Sequence, residues 1–250
     1  MISEATRRLV EHVAHQRGYE FAQRLDENTL LLSSSLAPGS IQAHSLADGS
    51  LELQFELSGV AVEIQRERGT ETSGHIVATG ESELYQILGR AFSFSVALPD
   101  NPLQTFRQAI ATLPRNTDAE RLVVQRVGQD IFRKSLEDYW QESCAVTGIR
   151  DRSLLRASHI KPWADSTDAE RLDVYNGILL TAHLDAAFDK HLMTISPAGE
   201  LLFSSSRLSQ RGLALLRPRD PEGPIRLSPQ HQAYLAYHRA RFEALEASGA

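Results

Sequence analysis

Between Leu154 and Lys190 two short apolar segments and one amphipathic segment follow each other at a spacing that admits few folds. Leu154-Leu155-Arg156-Ala157-Ser158-His159-Ile160 reads as a strand, and Pro162 then stops regular pairing and turns the chain. Seventeen residues after His159 the turn-prone pair Asn176-Gly177 introduces Ile178-Leu179-Leu180, a second strand. Ala182 to about Lys190 reads as a short helix. The pattern predicts strand, loop, strand and helix, with His159 held at a strand end. Asp185 and Asp189 are four residues apart, so the helix stacks them on one face, one turn apart.

Two acids so placed repel each other unless a cation or solvent screens them. A bound metal and a solvated helix face both explain the pair from the residues alone. The neighbouring histidine bears on the choice. Cutting a phosphodiester requires a group that deprotonates water and a charge that stabilises the phosphorane and the departing 3′ oxygen. A histidine can do the first near neutral pH, and a divalent ion on carboxylates can do the second.

Three blocks in order carry a resemblance: Ser158-His159-Ile160-Lys161-Pro162-Trp163, Asn176-Gly177-Ile178-Leu179-Leu180 and Leu184-Asp185-Ala186-Ala187-Phe188-Asp189. The stretch resembles the HNH endonuclease family, whose fold is the ββα-metal finger. Cys144-Ala145-Val146-Thr147-Gly148 resembles the opening of that domain, and Gly128 to Arg133 resembles the helix that often precedes it. By position, the resemblance implies His159 as general base and Asn176 as the residue that braces the loop and helps orient the base. It implies Asp185 and Asp189 as metal ligands. Ser158 stands where many members have a metal-binding Asp or His, so it would bind a metal through water or not at all. His191 stands where this branch often has glycine. The acid-rich shell favours a hard divalent ion, Mg²⁺ or Mn²⁺, over zinc. Arg156, Lys161 and Lys190 are close enough in sequence to contact substrate phosphates, and His183 is a phosphate contact, a further metal ligand or a structural neighbour of the site. Trp163 is expected to pack under the loop.

The remaining chain divides at Leu98-Pro99-Asp100-Asn101-Pro102, where two prolines favour an exposed connection. Before it, Ser3 to Arg17 reads as an amphipathic helix. Leu30-Leu31-Leu32, Leu51 to Leu57 and Val60 to Ile64 read as strands, with Asp48-Gly49 as a hairpin turn. Glu81 to Phe92 reads as a helix. Beyond it come a helix from Pro102 to Leu113 and a longer one from Thr117 to about Trp140, capped by Thr117 and Glu120. The Arg121, Arg126, Arg133 and Lys134 side of the longer helix is either solvated or a phosphate-contacting face. A loop-rich basic segment with Arg207, Arg211, Arg217, Arg219 and Arg226 precedes a closing helix from Pro229 to Ala247.

The expected class is α+β: an N-terminal mixed α/β module over residues 1–100, a helical connector over 101–142, a C-terminal ββα-metal (HNH) nuclease domain over 143–205, and a basic loop with a helix over 206–250. The single cysteine, Cys144, excludes an internal disulfide or a multi-cysteine zinc site and reads as a buried apolar residue. A net charge of −6 argues against a protein that coats nucleic acid indiscriminately. No apolar run approaches the ~20 residues that span a bilayer, and the N-terminus shows no secretory pattern, so a cytoplasmic location without membrane partners is expected.

The function expected is metal-dependent hydrolysis of double-stranded DNA, in restriction or defence, with the N-terminal module choosing the target. A homodimer would suit double-strand cutting. Two alternatives stand beside it. One is a nucleic-acid-binding module without catalysis, motivated by Ser158 at a ligand position. The other is a nuclease effector released by a ligand or partner.

Overall fold

The computed structural model describes residues 2–70, 74–114, 117–218 and 223–248. It is an α+β protein that separates into two compact units, Met1–Asn101 and Pro102–Ala250.

In the first unit α1 (Glu4–Gln16) is capped by the Ser3 hydroxyl, which accepts from the Thr6 amide. β1 (Phe21–Arg24), β2 (Thr29–Ser33), β3 (Ser40–Ser45) and β4 (Leu51–Phe55) follow as an antiparallel meander. α2 (Ser58–Arg68) then crosses to β5 (His75–Ala78), which pairs with β4, and α3 (Glu81–Ala97) closes the unit. Strict alternation sends Leu30, Leu32, Ile41, Ala43, Leu51, Leu53 and Ile76 to one buried sheet face, against which α2 and α3 pack.

The run Val60 to Ile64, expected as a strand, lies in α2. Val60, Ala61 and Ile64 are buried at helical spacing, and Glu63 is buried one turn before its partner Arg66 (2.8 Å). A short apolar run satisfies either period, and the chain stops as a helix does, at Gly69 in the left-handed conformation (φ 66°). Strands β1, β3 and β5 have no apolar run long enough to announce them.

The prolines at the division do not create a long exposed connection. Pro99 follows the end of α3, and Pro102 is buried in the first turn of α4 (Asp100–Ala109), where a missing N–H costs no helical hydrogen bond. The second unit continues with α5 (Asp118–Tyr139), whose Thr117–Glu120 capping box is present. β6 (Leu155–His159), α6 (Asp168–Leu172), β7 (Gly177–Thr181) and α7 (Ala182–Asp189) come next. β8 (Met193–Ile195), β9 (Leu201–Phe203), α8 (Gln210–Leu216) and α9 (His231–Ser248) complete it.

β6 and β7 pair antiparallel, with His159 opposite Gly177 and Ser158 opposite Ile178. α5 and α7 both pack on this hairpin, and every residue of β7 is buried. The basic side of α5 is largely spent internally. Arg121 pairs with Asp118, Lys134 with Asp138, and Arg133 with Glu137, a buried acid that Arg152 also holds (2.6 Å). Cys144 is buried as expected. Among the described residues no helix is long and apolar enough to cross a membrane.

Candidate active site

A cleft of about 530 Å³ opens where β6 ends, lined by Ala157, Ser158, His159, Ile160, Pro162 and Trp163 on one side and by Asp185, Ala186, Asp189, Lys190, His191 and His238 on the other. Neighbouring residues of a strand face opposite ways. Ser158 hydrogen-bonds the carboxylate of Asp185 on α7, whereas His159 stacks on Phe132 of α5 (centroids 3.7 Å apart, planes 14° apart). Trp163 meets the imidazole edge-on at 5.5 Å and is half-buried, lining the cleft.

Among the described residues the imidazole is fixed by one hydrogen bond. Its Nε2 lies 2.9 Å from the Arg171 carbonyl, which can only accept. Nε2 therefore carries the proton and Nδ1 the lone pair. Burial, reinforced by the Arg171 guanidinium, pushes the His159 pKa down to about 4 against the support of that carbonyl. At neutral pH the ring is a neutral acceptor. Arg171 itself is tied down, donating to the Trp163 carbonyl (2.9 Å) and to Asp168 (2.9 Å).

Asn176 sets the position of that carbonyl. It is fully buried, its Oδ1 accepts from the Lys161 amide (2.8 Å) and its Nδ2 donates to the Glu170 carbonyl (2.9 Å). The Ile160 amide adds a bond to its backbone oxygen (3.0 Å). Asn176 thus staples both ends of the excursion between the strands. Buried and absent from the cleft lining, it holds the loop rather than facing substrate. Gly177 follows because α5 leaves no room. A Cβ there would lie 2.5 Å from Phe132 and 2.8 Å from Leu136.

Asp185 and Asp189 share the cleft face of α7. Burial raises the Asp185 carboxyl, and the charge of Asp189 raises it further, against the Ser158 hydrogen bond and Arg156. Lys190 also lines the cleft and pairs with Asp189 at 3.0 Å. The other expected phosphate contacts are placed differently. The Lys161 amine pairs with Glu170 (2.6 Å), away from the cleft lining. Arg156 is exposed and folded back onto the Ser153 and Leu155 carbonyls. His183 is exposed and lies two residues from Asp185, about 200° around the helix from the acidic face.

Among the described residues no three His, Cys, Asp or Glu side chains come together as a metal-binding group. The expected donors are two carboxylates and one hydroxyl. Zinc would need three or four protein ligands. Mg²⁺ and similar hard ions keep several waters and take one or two carboxylates together with substrate oxygens, so this set fits them.

Residues 144–196 match the family model described as HNH endonuclease. This segment is an HNH domain. No curated protein matches the chain.

Three residues outside the expected set shape the HNH site. Phe132 forms the floor under His159 and comes from the helix ahead of the domain. His238 comes from α9, beyond the matched residues; its Nδ1 bonds Thr194 Oγ1 (2.9 Å), its Nε2 bonds the Phe188 carbonyl (3.0 Å), and its ring stacks on Phe188 at 3.9 Å. His191 stacks on the other face of His238 at 4.4 Å. Arg207, expected among possible DNA contacts, instead donates to the carbonyls of Lys190 and His191 and lies 3.6 Å from Glu246. Arg219 falls outside the described residues. The sequence marks His238 only as one position of an amphipathic helix, and nothing local reveals its partner 44 residues earlier.

Two buried histidines make stability depend on pH. His159 and His238 both have folded pKa values of about 4, mainly through burial, against an ordinary 6.5. Above pH 6.5 both are neutral in either state and cost nothing. As pH falls from 6.5 towards 4 the unfolded chain takes up protons that the fold refuses, so stability falls, by on the order of 2 kcal/mol per histidine. The raised carboxyls of Asp138, Asp173 and Asp185 oppose this at the acid end. Thermal melts at pH 7.5 and 5.0 should show the loss, and His238→Gln should flatten the slope.

Proposed function

We propose that this chain is a metal-dependent endonuclease that hydrolyses phosphodiester bonds of DNA. The observation that carries the reading is the hydrogen bond from His159 Nε2 to the Arg171 carbonyl, which leaves Nδ1 as a neutral acceptor without a partner among the described residues, in the same cleft as Asp185 and Asp189. His159 would take the proton from the water that attacks phosphorus. Asp185 and Asp189 would hold one Mg²⁺ or Mn²⁺, with Ser158 orienting Asp185. Such an ion supplies positive charge to the phosphorane and the departing 3′ oxygen. Lys190, in the same cleft, would stand beside the phosphate. The products would carry 5′-phosphate and 3′-hydroxyl ends.

The test is cleavage of supercoiled plasmid with Mg²⁺ or Mn²⁺ and none with EDTA. Asp185→Asn keeps the shape and removes the charge, and it should slow cutting about a hundredfold. Undiminished cutting by that variant would refute the metal assignment.

A second reading gains support from charge. Residues 1–101 hold seven arginines, no lysine and fourteen acids, a net −7; residues 102–250 hold nineteen basic and eighteen acidic residues, a net +1. An acidic N-terminal unit repels a phosphate backbone, whereas DNA readers are usually basic. This favours a unit that senses a ligand or partner and releases the nuclease over one that reads the target directly. Efficient plasmid cutting by the purified chain with metal alone would count against gating. A restriction or defence context suits either reading.

A further inference from the structure

The end of α7 carries an unusual residue. Lys190 ends the helix, the His191 amide bonds the Phe188 carbonyl (2.9 Å), and the Leu192 amide bonds the Ala187 carbonyl (2.8 Å). This pair of bonds is the Schellman ending, whose first residue beyond the cap takes a left-handed backbone and is usually glycine. Here it is His191, at φ 52°. A branched-off side chain at that angle is strained, and such strain persists where the surroundings enforce it. The surroundings do. Arg207 grips the carbonyls of Lys190 and His191, and the His191 ring lies flat against His238, itself fixed by two hydrogen bonds.

The braced ring satisfies nothing inside the protein. Neither nitrogen has a hydrogen-bond partner among the described residues, and Nε2 is enclosed. The ring lines the cleft that holds His159, Asp185 and Asp189. An enclosed N–H without an acceptor is costlier than an enclosed lone pair, which favours the proton on Nδ1, the nitrogen that is not enclosed.

We infer that His191 is a substrate contact: its Nδ1–H donates to a non-bridging oxygen of the DNA phosphodiester lying in the cleft. The inference rests on the proposed nuclease reading of the same cleft. Strain at this position is kept because the helix ending aims a donor that glycine cannot supply.

The position permits a clean test. Glycine relieves the backbone, so His191→Gly should melt within a few degrees of the parent. Asparagine tolerates the left-handed region and places an amide nitrogen where Nδ1 stands. Affinity for a short blunt duplex would be measured by fluorescence anisotropy in EDTA, and plasmid cleavage with Mn²⁺. His191→Gly should lose about tenfold in duplex affinity and in cleavage, the worth of one hydrogen bond to a charged group, and His191→Asn should recover most of it. If His191→Gly binds and cuts like the parent, His191 is only a helix ending and the inference fails, with the nuclease reading intact. If His191→Asn is as weak as His191→Gly, the loss belongs to ring packing and the inference also fails. A parent that binds duplex but never cuts, with binding weakened in His191→Gly and restored in His191→Asn, would sink the nuclease reading and leave the contact standing. Absence of duplex binding by the parent overturns both.

Discussion

Replacing His159 with alanine should slow DNA cleavage by about a hundredfold or more, the usual worth of a positioned general base. The variant also loses the stack on Phe132 and the anchor on the Arg171 carbonyl, so its stability should fall by about 1–3 kcal/mol. Activity must therefore be compared at a temperature where circular dichroism shows both proteins folded. Chemical rescue separates the two effects. Imidazole in the assay buffer can occupy the vacated space and accept the proton, so it should restore part of the rate to His159→Ala. It should restore none to Asp185→Asn, whose defect is a missing charge. Cleavage by folded His159→Ala at the parental rate would remove the base from the mechanism.

Gly177→Ala should destabilise the second unit and disturb the site as well. The backbone at Gly177 is extended (φ −147°), a conformation open to any residue, so only space demands glycine. The added carbon would lie 2.5 Å from Phe132 Cζ and within 2.9 Å of both Leu136 methyls. Phe132 and Leu136 are themselves almost fully buried and have nowhere to retreat. Overpacking of this kind costs about 1–3 kcal/mol. Phe132 is also the floor on which His159 rests, so the displacement should reach the base and lower cleavage as well as the melting temperature. A variant that melts and cuts like the parent would show that α5 can move off the hairpin freely.

The elements that carry the cleft were legible because their signals are local. A strand ending in His159, a proline two residues after Ile160, a turn pair before Ile178 and an i, i+4 acidic pair on α7 each declare themselves within a few residues. The run Val60 to Ile64 misled because five apolar-rich residues fit both periods, and only the left-handed stop at Gly69 and the buried pair Glu63–Arg66 decide for the helix. What positions the base was legible only through the resemblance, which gave Asn176 the bracing of the loop but not the acceptor that the loop presents. The Arg171 carbonyl is a backbone atom that any residue type would supply, and its aim depends on the side chain of Asn176. His238 reaches the cleft and Phe132 reaches His159 from helices on either side of the matched segment, through contacts with no trace in spacing. The substrate role read into Lys161 failed to foresee Glu170 because a lysine nine residues from an acid looks free until a loop folds them together.

The apolar cluster beneath the cleft bears on how far such a finger can travel between proteins. Leu155, Ile178, Leu180, Leu184 and Phe188 share their packing with Leu216, Ile225 and Leu235, which lie beyond residue 196. A graft cut at the edges of the recognisable motif would carry the acids and the histidine but leave its underside bare to water. In this chain the portable object is the finger together with its own roof, and a transplant that omits the last helix should arrive as an aggregating fragment rather than as a cutter.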